Sequence, residues 1–198
     1  MRVLVCLLLL AGAGYWGWSH YVNVVTYPPG VRVAALPSQL PTSKAPWMKG
    51  EYRMTPLASF SLDAKLLSRK RYSDRGAEIA PIDLALGWRA LSDQAVVDQL
   101  RISQVMRFWQ WRTRGNSWPA PRAEIESGGS NMHIIPANAV VEDAIMAFKR
   151  GEIVHLEGYL VRVDGPNGFQ WNSSLSRSDT GNGACELFWV ERAAPSPR

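Results

Sequence analysis

The stretch that decides the fold runs from residue 153 to residue 174 and reads IVHLEGYLVRVDGPNGFQWNSS. Its first eleven residues are rich in β-branched, leucine and tyrosine side chains, which favours a β-strand. The sequence DGPNG at 164–168 is typical of a tight turn, because these residues readily adopt the backbone angles of turns. A second strand follows at 169–174 and a third at 185–191, so the sequence predicts a β-meander.

Upstream segments add strands to this sheet. From Phe60 to Leu66 apolar and polar residues alternate, which is the period of a half-buried strand. Residues 106–111 alternate in the same way, and residues 131–136 are predicted to be a brief extended piece. These segments supply enough strands for a small sheet or barrel.

Helical segments are few and short. Asn138 can cap a helix that runs from Ala139 to Arg150, with apolar residues along one face. Ser92 can cap another that reaches Leu100, and 81–88 is predicted to be a short helical turn or an irregular segment. The fold class is therefore predicted to be α+β: a small antiparallel β-sheet or partly open β-barrel with a few short helices.

The N-terminus carries a hydrophobic leader, and two interpretations of it compete. Residues 3–18 contain no charge, and the apolar character continues to residue 25, about the length that spans a bilayer. A cleaved signal peptide would use the small residues Ala11-Gly12-Ala13. An uncleaved transmembrane anchor would place aromatic residues at the membrane boundary. We favour the anchor, because such residues are present at Tyr15, Trp16, Trp18 and Tyr21.

The charges around the leader predict its orientation. Arg2 precedes it, and the next basic residue is Arg32. The positive-inside rule then keeps the N-terminus in the cytoplasm and exports the rest. We therefore expect a single-pass protein of the inner, cytoplasmic membrane whose C-terminal domain lies in the periplasm.

The chain divides into four parts by composition. Prolines recur through 26–50, which disfavours helix and leaves an extended, semi-rigid linker. The predicted parts are the anchor at 1–25, this linker at 26–50, an exported α+β domain at 51–192 and a tail at 193–198.

Composition excludes several classes of protein. Two Cys rule out a disulfide-rich scaffold and an all-cysteine zinc site, and three His rule out a His-rich metal centre. No metal and no cofactor is predicted. The net charge of +5 is modest, and its densest cluster, Arg69-Lys70-Arg71, could contact a polyanion or lie on a solvated strand end.

Cys185 is the candidate nucleophile. A cysteine hydrolase would pair it with His133 or His155, oriented by Asp179. The opposing interpretation places Cys185 in the core, since it alternates with Leu187 and Trp189 on one face of a strand. We favour the core position, which makes an enzyme the weaker hypothesis.

A second candidate site is the segment RFWQWR at 107–112. Its aromatic and basic residues alternate, a pattern that can stack bases or sugar rings and hold phosphates. The binding candidates are Arg107, Trp109, Trp111 and Arg112. Export argues against nucleic acid and leaves a cell-wall glycan as the ligand, and core packing of the aromatic rings is the interpretation we favour.

Three motifs carry a resemblance to a known family. They are DLALGW at 83–88, SNMHIIPAN at 130–138, and the tail that reads WNSSL at 171–175 and DTGNGACELFWV at 179–190. With them, the chain resembles a family of uncharacterised bacterial membrane-anchored proteins, found largely in proteobacteria. The resemblance implies a single exported domain behind an anchor and carries no catalytic residue.

The sequence therefore favours a non-enzymatic protein of the cell envelope with an exported binding or assembly domain. Its expected partners are the membrane, through the N-terminal helix, and an envelope protein or glycan; nucleic acid is not expected. The alternative is the cysteine-dependent hydrolase built on Cys185.

Overall fold

A computed structural model describes residues 24–176 and 185–196. The leader up to residue 23, and Asp179, lie outside these residues. Within the described chain, no helix is both long enough and apolar enough to cross a bilayer.

The described residues form mainly β-structure with three short α-helices, so the prediction of an α+β chain is confirmed. The strands are β1 Ser38–Leu40, β2 Trp47–Lys49, β3 Tyr52–Arg71, β4 Ile82–Gly87, β5 Leu100–Val105, β6 Phe108–Thr113, β7 Gly129–Pro136, β8 Ile153–Asp164, β9 Gln170–Asn172 and β10 Glu186–Pro195. The helices are α1 Gln94–Val97, α2 Arg122–Ser127 and α3 Ala139–Ala147.

Five strands close into a ring. β3 pairs with β4, β4 with β7, β7 with β10, β10 with β8, and β8 returns to β3. Only the β7–β10 pairing in this ring is parallel. β10, the last strand in the chain, thus lies between the third and fourth strands of the ring, and α3 connects those two strands.

The interior of the ring is apolar. Alternate residues of each strand point inward and pack against one another, which removes them from water and provides the main stabilisation of the fold. Phe60 and Phe188 meet at the centre, edge to face, with ring centroids 5.0 Å apart. Other residues of this core are Leu62, Leu84, Met132, Ile134, Leu156 and Leu160.

The outer face of β4, β7 and β10 is also covered. Ile135, Leu187 and Trp189 belong to one outer apolar cluster. Ala85 belongs to another, against the hairpin formed by β5 and β6. Polar residues of the same outer face lie between these clusters, and this is where the candidate site is found.

Burial of a strand on both of its faces explains one wrong prediction. Residues 82–87 form strand β4 and not a helical turn, and all six are buried. A strand covered on both faces shows no alternation of apolar and polar residues, so its sequence lacks the usual signal.

Two other predictions need correction. The last three strands are not a meander, because β10 pairs with β8 and β7 and not with β9, which pairs with residues 162–164 on the same edge of β8. The helix near residue 94 is one turn capped by Asp93, and Leu100 begins strand β5. The cap at Asn138 is confirmed: its side chain accepts a hydrogen bond from the Val141 N–H at 3.0 Å.

Residues 26–50, expected to be an extended spacer, pack against the ring. β1 pairs with Ser59–Ser61 and β2 pairs with residues 52–54, both along β3. Val33 is buried in the interior core. The chain is extended, as its prolines require, and extended chain can add to the edge of a strand.

Candidate functional site

A cavity of about 540 Å³ opens on the outer face of the ring. β7 supplies His133, and the tip of the β5–β6 hairpin supplies Arg107 and Phe108. The connection between β8 and β10 supplies Trp171 and Cys185. Segments distant in sequence therefore meet here because β4 and β7 are neighbours and the hairpin between them folds back over their outer face.

A fully buried carboxylate organises the residues beneath the cavity. Asp83 lies opposite His133 in the β4–β7 pairing, and its Oδ1 is 2.9 Å from His133 Nδ1. Asn131 Nδ2 donates to Oδ2 of Asp83 at 3.3 Å, and Arg107 Nη1 donates to Oδ1 at 3.4 Å. These partners offset the cost of burying a charge.

Arg107 is held in place on every side. Its Nε and Nη2 donate to the two carboxylate oxygens of Asp74 at 3.0 and 2.6 Å, and Nη1 also donates to the Ala80 carbonyl at 3.1 Å. Its guanidinium lies 4.4 Å from the ring centroid of Tyr72 and 5.7 Å from that of Trp171. The hydrogen bond from Arg107 lowers the pKa of Asp74. The guanidinium charge is thus neutralised by carboxylates, and Arg107 fixes the architecture of the site.

The turn that presents Arg107 has an uncommon backbone. Met106 and Arg107 have φ values of 50° and 65°, the left-handed region that favours glycine. Two successive residues of this kind are typical of the two-residue hairpin turn whose twist matches the strands. The contacts of Arg107 stabilise this turn without glycine.

His133 is oriented by the groups around it. It is 5% exposed, and its ring lies 5.0 Å from that of Trp171. The contact between Nδ1 and Asp83 directs the other ring nitrogen, Nε2, away from Asp83.

Cys185 lines the same cavity and is half-buried, so its predicted position in the core is wrong. β10 begins one residue later, at Glu186, and Leu187 is the first residue of its outer face to enter an apolar cluster. Cys185 therefore remains at the mouth of the strand, where its carbonyl accepts a hydrogen bond from the Ser174 N–H at 3.2 Å.

The other predicted site residues lie elsewhere. The two ring nitrogens of His155 are 3.0 Å from Asp63 and 2.8 Å from Glu157, and His155 does not line this cavity. Trp109 and Trp111 pack against the outer cluster that contains Ala85.

Arg112, the remaining candidate of this group, is exposed on β6. Among the four binding candidates in 107–112, Arg107 lines the cavity and the other three do not.

No protein-family model, curated protein or solved structure matches this chain. The family resemblance of its three motifs stays a prediction, and the site is interpreted from its geometry.

Sequence reasoning missed Asp83, Asn131 and Trp171. Asp83 is an acidic residue inside an apolar run, IDLALG, and that position was the available signal. Trp171 carries no such signal, because its short strand is otherwise polar. In the part of the chain that the structure describes, no three His, Cys, Asp or Glu side chains converge as a metal site requires.

Proposed function

We propose that this protein is a membrane-anchored binding protein of the cell envelope whose exported domain takes its ligand in the cavity beside His133 and Trp171. The observation that carries the proposal is the buried network of Asp83, Asn131 and Arg107 beneath an open cavity. Buried polar networks are costly unless complete, and ligand pockets combine such fixed polar groups with apolar walls.

The lining of the cavity favours an uncharged polyhydroxyl ligand, such as a segment of cell-wall glycan. Trp171 and Phe108 supply aromatic surfaces on which sugar rings stack. Gln170, Asn172 and Ser173 supply donors and acceptors for hydroxyl groups. The charge of Arg107 is already neutralised by Asp74 and Asp83, so a strongly anionic ligand is not required.

The strand order supports a binding role. A closed five-stranded ring with the last strand inserted between the third and fourth resembles the OB-fold, a Greek-key barrel. That fold binds oligosaccharides and oligonucleotides on its second and third strands and on the loops after its first and fourth strands. Here those elements are β4, β7 and the connections 72–81 and 165–185, which supply Asp83, His133, Asp74 and Trp171.

The experiment is a calorimetric titration of the detergent-solubilised full-length protein with N-acetylglucosamine-containing cell-wall oligosaccharides. Trp171→Ala is expected to weaken binding by about fivefold or more, the usual value of an aromatic stacking contact. Trp118→Ala is the matched control, because Trp118 is 49% exposed and packs on Trp111 outside the cavity. Absence of binding by the wild type, or equal losses in both variants, would contradict a glycan site here.

A cysteine hydrolase is the second candidate function, because Cys185 and His133 line one cavity and Asp83 contacts Nδ1 of His133. In that reaction the Cys185 sulfur attacks an acyl carbon, and its proton passes to Nε2 of His133 and then to the leaving group. Water then hydrolyses the resulting thioester. In this candidate reaction Asp83 orients His133, while the predicted Asp179 lies outside the described residues.

Site-resolved labelling with iodoacetamide at pH 7 separates the two functions. An enzyme requires fast alkylation of Cys185 that slows in His133→Gln, since the thiolate is the reactive form. Slow alkylation at the same rate in both proteins supports the binding domain. Cys185→Ser should then weaken glycan binding less than Trp171→Ala does.

A further inference from the structure

Residues 24–36, named here the strap, are pinned to the domain directly after the leader. The Val25 N–H donates to the Arg150 carbonyl at 2.7 Å. A Cβ on Gly151 would lie 1.9 Å from the Val25 carbonyl oxygen, so the two backbones touch. The strap therefore begins in contact with the domain.

Two consecutive residues just before α1 hold the rest of the strap. The hydroxyl of Ser92 accepts from the backbone N–H of Arg32 and of Val33 at 3.1 and 2.9 Å. The carboxylate of Asp93 accepts from the Gly30 N–H at 2.9 Å. Because these bonds fix the backbone, the face that the strap turns outward is fixed as well.

That outward face is apolar with basic residues around it. Val31 and Leu36 are each 53% exposed, and Pro28 and Pro29 are exposed between them and the leader. The strap contains one charged residue, the exposed Arg32.

Arg89, also exposed, lies beside the strap, since its N–H donates to the Val33 carbonyl at 2.7 Å. The exposed Arg150 is beside Val25. Apolar side chains bordered by arginines are the composition of surfaces that lie in the membrane interface.

Acidic groups next to the strap are already engaged. The carboxylate of Asp93 accepts from the Gly30 and Ala95 N–H groups. Asp63 contacts His155 and the Ser196 hydroxyl. A third acidic residue, the exposed Asp98, lines a groove with Val24–Thr26 and accepts a hydrogen bond from Gln94 Nε2 at 2.7 Å. These contacts hold the three carboxylates against the domain, and the basic groups that border the strap are the exposed Arg32, Arg89 and Arg150.

Chain length places this face close to the bilayer. Val25 is three positions after Val22, which is near the end of the apolar run, and three extended residues span at most about 10 Å. The headgroup layer on one side of a bilayer is about 5–8 Å thick. A leader that stays in the membrane therefore brings the strap to the headgroups.

We propose that the strap is a membrane-contact surface: Val31 and Leu36 insert at the interface, and Arg32, Arg89 and Arg150 bind the phosphates of anionic phospholipids. This inference rests on the proposed anchor and is independent of the glycan site.

The test is photocrosslinking of the full-length protein in nanodiscs that contain phosphatidylglycerol. Benzoylphenylalanine replaces Val31 in one sample and, as a matched control, the 60%-exposed Met48 of β2 in another. Phospholipid adducts are expected at residue 31 and not at residue 48. Adducts to protein, equal lipid adducts at both positions, or none would overturn the proposal.

A second arm tests the arginines and the anchor. Arg32→Gln with Arg89→Gln should lower the adduct yield at residue 31 in phosphatidylglycerol nanodiscs and leave it unchanged in phosphatidylcholine nanodiscs. An equal yield in both lipids for the wild type would overturn the anionic-lipid assignment. The intact mass reports whether the leader is retained, and its loss would overturn the membrane contact while glycan binding through Trp171 is measured separately in detergent.

Discussion

Asp83 connects residues from three segments of the chain. It is fully buried and contacts His133, Asn131 and Arg107, which come from β7 and from the hairpin tip. Removing one charge from such a cluster leaves its partners buried without compensation, which is more costly than losing an exposed ion pair. The stability of the domain and the shape of the cavity therefore depend on the same carboxylate.

Asp83→Asn is expected to lower the free energy of unfolding by about 2–4 kcal/mol. The measurement is urea denaturation of the detergent-solubilised protein, followed by tryptophan fluorescence. Glu126→Gln is the control, since it breaks the exposed Arg122–Glu126 pair, worth at most about 0.5 kcal/mol. Similar small changes in both variants would show that the Asp83 network is not stabilising.

Lys65 is a second buried charge, at the end of the ring near the strap. It is fully buried, and its Nζ donates to Gln94 Oε1 at 2.7 Å and lies 5.3 Å from the Tyr27 ring centroid. Burial lowers the pKa of Lys65 from 10.5 to about 8. Between these two values the unfolded chain binds more protons than the folded one, so stability rises with pH in this window.

The pH dependence of stability should therefore reveal Lys65. From pH 7 to pH 10 the wild type is expected to gain about 2 kcal/mol in free energy of unfolding relative to Lys65→Met, which has no proton to lose. Lys149→Met, which removes an exposed lysine, controls for the change in net charge. Parallel pH profiles for wild type and Lys65→Met would contradict this assignment.

At the residue scale, the sequence identified side chains capable of chemistry but did not indicate which of them contact one another. His133 and Cys185 were identified by side-chain type alone, and they do line one cavity. Asp179, the orienting carboxylate predicted from the sequence, lies outside the described residues, and the carboxylate that contacts His133 is Asp83, through a strand pairing across 50 positions of sequence. Such a contact depends on strand order, which local patterns do not encode.

The β5–β6 hairpin is the element that links stability to the site. Its tip residues Met106 and Arg107 adopt left-handed backbone angles, yet neither is glycine or asparagine. Met106 is 81% exposed and contributes little packing, so its backbone strain has no local compensation from its side chain.

Met106→Asn should stabilise the domain by about 0.5 kcal/mol, because asparagine tolerates the left-handed region better than methionine does. The thermal unfolding midpoint of the purified protein is the measurement. Met48→Asn is the matched control: Met48 is similarly exposed but lies in strand β2, where asparagine is disfavoured. A lower midpoint for Met106→Asn would contradict the strain argument.

At the element scale, the prediction of secondary structure was correct where one face of a segment is exposed to solvent. The alternation at 60–66 indicated part of β3, and Asn138 marked the start of α3. It failed at 82–87, where both faces are buried, and at 26–50, where extended chain adds to the edge of β3. In both places the partner of the segment determines its structure.

For the whole molecule, the proposed topology makes a direct prediction. An alkaline phosphatase fused after Arg198 should be active, because that enzyme requires the periplasm, and the fusion should remain in the membrane after a carbonate wash. A cytoplasm-dependent fluorescent reporter at the same position is the control and should be dark. Recovery of a soluble form that begins near Gly14 would instead show that the leader is cleaved.

The position of β10 in the ring also governs biosynthesis. Residues 186–195 close the gap between β7 and β8, and they are synthesised after the other four strands of the ring. Until they emerge, two strands of the ring keep unpaired edges, so the nascent domain has no complete native state. A chain truncated before residue 186 would keep these edges exposed and is expected to be sensitive to proteases. Completion of the native domain therefore waits for the synthesis of β10.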